Sequence, residues 1–229
     1  PYAIAAMVLV TCFTLISTAM FGLELDEHYS TAIAEVREIR LPDDSIVTLG
    51  ASSEITVSIK EYGRAVTLKK GQAYFDVAAQ HLDDGTKMPF NVYIDNMVIN
   101  VVGTEFDVRR QQHQVVVAVV EGVVAVNTDA QAHGVQLEAG EKVAVIGPDL
   151  DYIGPLMKVE RASIESWKAG RFSYLDATLG DVISDIRRYH PGVIELSSPK
   201  LADLRLTTSF QVDQIPELAV ILESILPVK

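Results

Sequence analysis

The sequence holds 229 residues, enough for one large domain or two small ones. Its 19 basic and 31 acidic residues give a formal charge of −12, a balance that repels a phosphate backbone and argues against nucleic-acid binding. Cys12 is the sole cysteine, and His28, His81, His113, His133 and His190 stand far apart without ligand spacing, so no disulfide, metal centre or cofactor is expected.

In chain order, the first element is AIAAMVLVTCFTLISTAMFGL (3–23), which carries no charge. As a helix rising ~1.5 Å per residue it spans about 30 Å, the thickness of a bilayer core. Ile4, Val8, Leu9, Val10, Phe13, Leu15, Ile16, Phe21 and Leu23 together favour insertion by roughly 3–5 kcal/mol. A signal peptide would have a shorter apolar run behind basic residues, and a buried globular helix is rarely apolar all round. The reading is a single transmembrane helix over 1–23, with a juxtamembrane linker over 24–34. Thr14, Thr18 and Gly22 form a stripe of small residues along it. The chain begins at Pro1 and reads as a fragment of a longer protein.

From 35 to 147 the hydrophobic period is two. SIVTL (45–49), EITVSI (54–59), AYFDV (73–77), FNVYI (90–94), MVINVV (97–102), TEFDVR (104–109), QVVVAVV (114–120), VVAV (123–126) and EKVAVI (141–146) read as short strands between turn signals. Gly71, Gly122 and Gly140 each precede such a run, which suggests a degenerate repeat in which each glycine opens a strand. The expected fold class is therefore mainly β. An all-β solenoid, a rolled sheet and an antiparallel sandwich all fit.

Residues 148–163, with Gly147-Pro148 and Gly154-Pro155, read as a linker. Over 164–229 the grammar changes. FSYL (172–175) reads as a strand, and Leu179, Val182, Ile183, Ile186 and Tyr189 recur at helical spacing up to His190-Pro191-Gly192. VIEL (193–196) and LRLTTSFQV (204–212) read as strands and IPELAVILESIL (215–226) as a helix. The order β-α-β-β-α makes a small α+β unit that a further strand could close beyond Lys229. Trp167, the sole tryptophan, is expected to pack the linker onto one of the two units.

Several motifs resemble the FecR-type sigma regulators, single-pass inner-membrane proteins of Gram-negative bacteria. They are LPDDSIVTLGASSEITV, LKKGQAYFDVA, PFNVYIDNMVINVVGTEFDVR, VVVAVVEGVVAV and LEAGEKVAV, in that order. The tail resembles the small domain shared by secretins and the N-termini of TonB-dependent receptors. The resemblance implies a transmembrane anti-sigma regulator with residues 24–229 in the periplasm. It implies two partners: the periplasmic signalling domain of an outer-membrane TonB-dependent receptor, and an extracytoplasmic-function sigma factor held by a cytoplasmic domain outside this sequence. The inducer it implies is a ferric chelate or similar nutrient. An envelope scaffold that grips protein or glycan without relaying anything is the alternative reading.

Two places are singled out as candidate sites. The first is the edge of the 204–212 strand, where Leu206, Thr208 and Phe210 lie at or just under a surface that could accept a partner strand. A central, merely packed strand is the competing reading. The second is Gly103-Thr104. If Thr104 opens a strand, Thr104, Phe106 and Val108 share one face and Glu105, Asp107 and Arg109 the other. Gly103 is then an ordinary bend. Alternatively the Thr104 hydroxyl attacks the Gly103 carbonyl, the amide becomes an ester by N-to-O acyl shift, and water hydrolyses the ester. Gly103 leaves that carbonyl unhindered, but the sequence assigns no base or oxyanion donor. Some members of the resembled family are cleaved at this pair. No Ser-His-Asp set, nucleophile elbow or metal motif points to an ordinary hydrolase.

Overall fold

The computed structural model describes residues 26–60, 63–111, 113–129 and 134–218. The membrane helix expected over 3–23 and most of the helix expected over 215–226 lie outside the described residues. No helix among the described residues is long and apolar enough to cross a membrane.

The first strands are β1 (Glu27–Ser30), β2 (Arg37–Arg40), β3 (Ile46–Leu49), β4 (Glu54–Lys60) and β5 (Gly63–Asp76). There follow β6 (Phe90–Ile94), β7 (Met97–Val101), β8 (Glu105–Arg110), β9 (Gln114–Glu121), β10 (Val123–Thr128), β11 (Val135–Glu138) and β12 (Glu141–Ile146). Two-residue strands β13 (Tyr152–Ile153) and β14 (Met157–Lys158) complete one continuous sheet. Its main path runs β11-β10-β7-β6-β5-β8-β9-β12-β13. All pairings in it are antiparallel except β5 with β6. The sheet folds over on itself into a nearly closed, barrel-like shell, so of the expected all-β forms the solenoid is the one that does not apply.

The fold-over happens within β5. Its first half pairs with β4 and β6, its second half with β3 and β8. Val66 and Leu68 point into the core at even numbers, whereas Ala73 and Phe75 do so at odd numbers. The exposed pair Lys69-Lys70, both facing Glu54, absorbs this change of parity, and the register against β4 slips at the same point. Gly71 follows with φ +86°, and a Cβ there would lie 2.6 Å from Ser53 Cα. Gly71 is thus a corner inside a strand, not the opening of one as its sequence context suggested. Gly122 and Gly140 do stand between strands.

The core between the two layers is aliphatic with a small aromatic centre. Phe75 stacks on Phe106 at 4.9 Å and meets Phe90 edge-on at 6.2 Å. Arg64, 1% exposed, is the one guanidinium at this depth among the described residues. It pairs with Asp43 Oδ2 at 3.0 Å, donates to the Ala78 carbonyl at 2.7 Å and to that of Met88, and lies 5.4 Å over the Phe90 ring. One side chain thereby ties the loops before β3 and after β5 to the start of β5.

The linker readings differ from the structure in detail. β1 lies within 24–34 and pairs with β4; β13 and β14 lie within 148–163 and pair with β12. The small unit begins with α1 (Arg161–Glu165) and a 3-10 turn (Ser166–Ala169). It continues with β15 (Arg171–Thr178), α2 (Leu179–Ile186) and β16 (Arg205–Gln211). Thr178 caps α2, its hydroxyl accepting from the Asp181 N–H. β15 and β16 form a two-stranded antiparallel ribbon with a bulge between Tyr174 and Ala177. Residues 193–196, expected as a strand, are not one. The Ile194 carbonyl that a ladder would use is taken by Arg187, whose Nε and Nη2 donate to it at 2.9 and 2.6 Å.

Because the buried Arg64 serves a buried carboxylate and several carbonyls, truncating it leaves those acceptors unpaired. Arg64→Ala should lower the unfolding free energy by about 3–5 kcal/mol in urea titration. A loss within the error of the measurement would show that the loops close without it.

Candidate functional site

The candidate site is the junction between the sheet and the small unit. Strand parity builds one side of it. With Phe106 and Val108 committed to the core, β8 presents Glu105, Asp107 and Arg109 outward. Cross-strand register aligns Gln72 with Arg109 and Tyr74 with Asp107 on β5, and Ala118 with Asp107 on β9. Lys142 on β12 lies beyond Ala118. This outward face is not solvated, because the small unit covers it. Ala51, Tyr74, Ala118 and Val120 join Ile164, Trp167, Phe172, Tyr174, Val182 and Ile186 in a second hydrophobic cluster.

A polar network runs through that apolar contact. Asp107 is 7% exposed. Its Oδ1 accepts from Trp167 Nε1 at 2.9 Å, and Gln72 Nε2 donates to Oδ1 and Oδ2 at 3.1 and 3.0 Å. Gln72 Oε1 accepts from Arg188 Nη2 at 3.1 Å, and the same nitrogen donates to Asp185 Oδ1 at 2.8 Å. Asp185 Oδ2 accepts from Arg109 Nη1 at 2.7 Å and from the Tyr174 hydroxyl at 3.0 Å. Two carboxylates and two guanidiniums thus alternate across the junction. Gly50 leaves room for the indole, since a Cβ there would approach Trp167 Cζ3 to 3.2 Å.

Two contacts flank the network. At one end the Arg188 carbonyl accepts from the Ala34 N–H at 3.0 Å and from the Ser52 hydroxyl at 3.4 Å, which holds α2's end to the segment after β1. At the other, Arg161 bridges Glu105 and Glu165 at 2.8 and 3.0 Å. There Lys168 Nζ sits 3.6 Å over the Tyr74 ring.

The two buried acids titrate in opposite directions. Burial pushes Asp107 up to about 6, only partly offset by Gln72, Arg109 and Trp167. Burial would also raise Asp185, but the guanidiniums of Arg109 and Arg188 hold it below the ordinary carboxylate range. Burial, then Asp185, pushes the Tyr174 hydroxyl well up, so it stays a donor.

The residues singled out in the sequence lie elsewhere. Gly103 and Thr104 form the bend between β7 and β8, just before the strand that carries Asp107 and Arg109. Gly103's φ lies outside the left-handed region, and a Cβ there would lie 3.0 Å from Ala79 Cβ. Close packing is therefore one reason for glycine at this bend. Thr104 is 5% exposed; its carbonyl accepts from the Val77 N–H at 3.0 Å. Its Oγ1 is buried with no hydrogen-bond partner among the described residues, so the structure supplies no bonded base for it. Leu206 and Phe210 point into the second core, and Thr208, opposite Tyr174, is half-buried. The residues of β16 that face outward are Thr207, Ser209 and Gln211. β16 has β15 as its only strand partner among the described residues.

The sequence had Trp167 packing the linker onto one of the two units but did not show its partner Asp107. Asp107 and Arg109 were placed on the right face of their strand without a sign that the face is covered. Asp185 and Arg188 gave no signal, because what they bond is 76 and 116 residues away.

Since Asp107 holds its proton more tightly in the folded state, its stabilising effect is complete below the ordinary carboxylate range and is lost as pH rises through about 6. With the Asp185 shift acting only at lower pH, unfolding free energy should be about 1 kcal/mol larger at pH 5 than at pH 7 on this account. Asp107→Asn should remove that increment in paired urea titrations. An unchanged increment in the variant would assign it to other groups.

Residues 27–125 match the FecR protein family. No curated protein matches the chain. The fold is shared with two crystal structures of a candidate anti-sigma factor from Parabacteroides distasonis ATCC 8503. One, at 2.50 Å resolution, has a TM-score of 0.70 and 22% identity over 87% of this chain and 92% of that one. The other, at 1.65 Å, has a TM-score of 0.70 and 21% identity over 86% and 91%. Residues 27–125, from β1 into β10, thus form a FecR family domain.

Proposed function

We propose that the chain is the outer part of a transmembrane regulator of an extracytoplasmic-function sigma factor. The observation that carries this reading is a FecR domain whose outward face is sealed by a second folded unit through a buried ionic network. Such an arrangement suits transmission of a binding event: whatever pulls on the small unit acts on Asp107, Gln72 and Arg109 in the sheet. Through Arg188 it also acts on Ala34, close behind the proposed membrane exit.

In this reading residues 3–23 anchor the chain once in the inner membrane and 24–229 lie in the periplasm. The periplasmic signalling domain of a TonB-dependent receptor adds to the β16 edge, with Thr207, Ser209 and Gln211 outward and Leu206, Thr208 and Phe210 supporting the strand from beneath. A sigma factor is held by residues outside this sequence. The inducing nutrient is of the kind such receptors import, a ferric chelate among them.

Cross-linking in intact cells tests both placement and partner, since the receptor's signalling domain is reachable only from the periplasm. The parent chain should be captured. Thr208→Pro should reduce capture at least tenfold while Trp167 fluorescence stays native. Capture unaffected by the proline would dismiss the edge, and no capture of the parent would dismiss the receptor.

The Gly103-Thr104 bond belongs to the same proposal. A buried Thr104 hydroxyl with no hydrogen-bond partner among the described residues supports its attack on the Gly103 carbonyl, an N-to-O acyl shift and hydrolysis of the ester by water. Intact-mass analysis of purified chain should show two fragments divided at this bond, persisting in Thr104→Ser and absent in Thr104→Ala. A single uncut mass in the parent would leave the pair its packing role only.

A further inference from the structure

A cavity of about 150 Å3 opens at the junction, between the outward face of β8, β9 and β12 and the exposed side of β15. Its walls carry both signs of charge, but not in balance. The acceptors are already served. Asp107 takes its hydrogen bonds from Gln72 and Trp167, and Asp185 takes its own from Arg109, Arg188 and Tyr174. Donors are left over. Arg109 spends Nη1 on Asp185, while its Nε is buried and has no hydrogen-bond partner among the described residues. Lys142, half-buried on β12, has neither an ion pair nor a hydrogen bond among the described residues. Its ammonium is depressed below the usual lysine range, first by burial and then by the charge of Arg109. Arg171 stands at the mouth, exposed and likewise without a carboxylate partner among the described residues.

In a chain of formal charge −12, the Lys142 ammonium and the Nε of Arg109 nonetheless face a polar cavity with no acceptor among the described residues. A buried donor with no acceptor costs roughly 1–3 kcal/mol, and more when charged, so the arrangement favours an acceptor from outside. We propose that this cavity binds a small oxyanion, phosphate or carboxylate, gripped by Lys142 and Arg109 Nε with Arg171 closing over it. The volume admits a group of that size and excludes a folded peptide segment. Because the donors come from β8, β12 and β15, the bound anion bridges the FecR domain and the small unit. It therefore tightens their junction. The inference does not depend on which protein the small unit contacts.

Thermal unfolding of the whole chain, titrated with inorganic phosphate and separately with succinate at ionic strength held constant by sodium chloride, tests it. The midpoint should rise saturably with one or both anions, and the anion that acts identifies the class bound. Lys142→Gln, on a half-exposed strand position that tolerates it, should raise the apparent dissociation constant at least tenfold. Lys158→Gln, whose lysine is 81% exposed and paired with Glu141, controls for general charge and should titrate as the parent does. If neither anion acts beyond chloride, or if Lys142→Gln titrates like the parent, the cavity is not an oxyanion site.

Discussion

The structure depends on one buried carboxylate. Asp107 sits where the outward face of a sheet meets a second folded unit, and it is held by an indole from one side and an amide from the other. Removing a charge from water is expensive, and the chain meets that cost with three hydrogen bonds and two nearby guanidiniums rather than with a full ion pair. The result is a junction specified by geometry. An apolar patch alone would let the small unit slide on the sheet; the Trp167–Asp107 and Arg109–Asp185 contacts fix one register.

That carboxylate can point outward only because β5 changes parity. If β5 kept its even-numbered positions inward past Lys70, Gln72 and Tyr74 would be driven into the core and Phe75 would face the small unit. The local slip at Lys69-Lys70 and the corner at Gly71 allow one strand to serve two layers with opposite assignments. Core and junction are therefore coupled through a single irregularity. The Phe75–Phe106 stack inside and the Gln72–Asp107 contact outside are adjacent consequences of it.

How much of this was legible follows from what range each signal has. Alternation within a strand is local, so runs such as FNVYI and QVVVAVV declared themselves, as did the facing of Phe106 against Asp107. Gly71 misled because a glycine before an apolar run looks the same whether it opens a strand or bends one; the partner that requires it, Ser53, is distant in sequence. VIEL has strand composition, yet its backbone is claimed by Arg187, which composition does not register. β13 and β14 are two residues each and too short to show a period. The junction was least legible of all, since burial of Asp107 is created by residues some sixty positions later.

The contact between Ala34 and Arg188 joins residues made far apart in time. During synthesis the sheet can form before the small unit has emerged, so the face carrying Tyr74, Ala118 and Val120 must wait in water. Glu105, Asp107, Arg109 and Lys142 are interspersed on that same face. While hydrated they are ordinary charges, and they make the waiting surface a poor template for its own copies. The groups that later lock the assembled protein thus first serve as a guard against premature association of the nascent one.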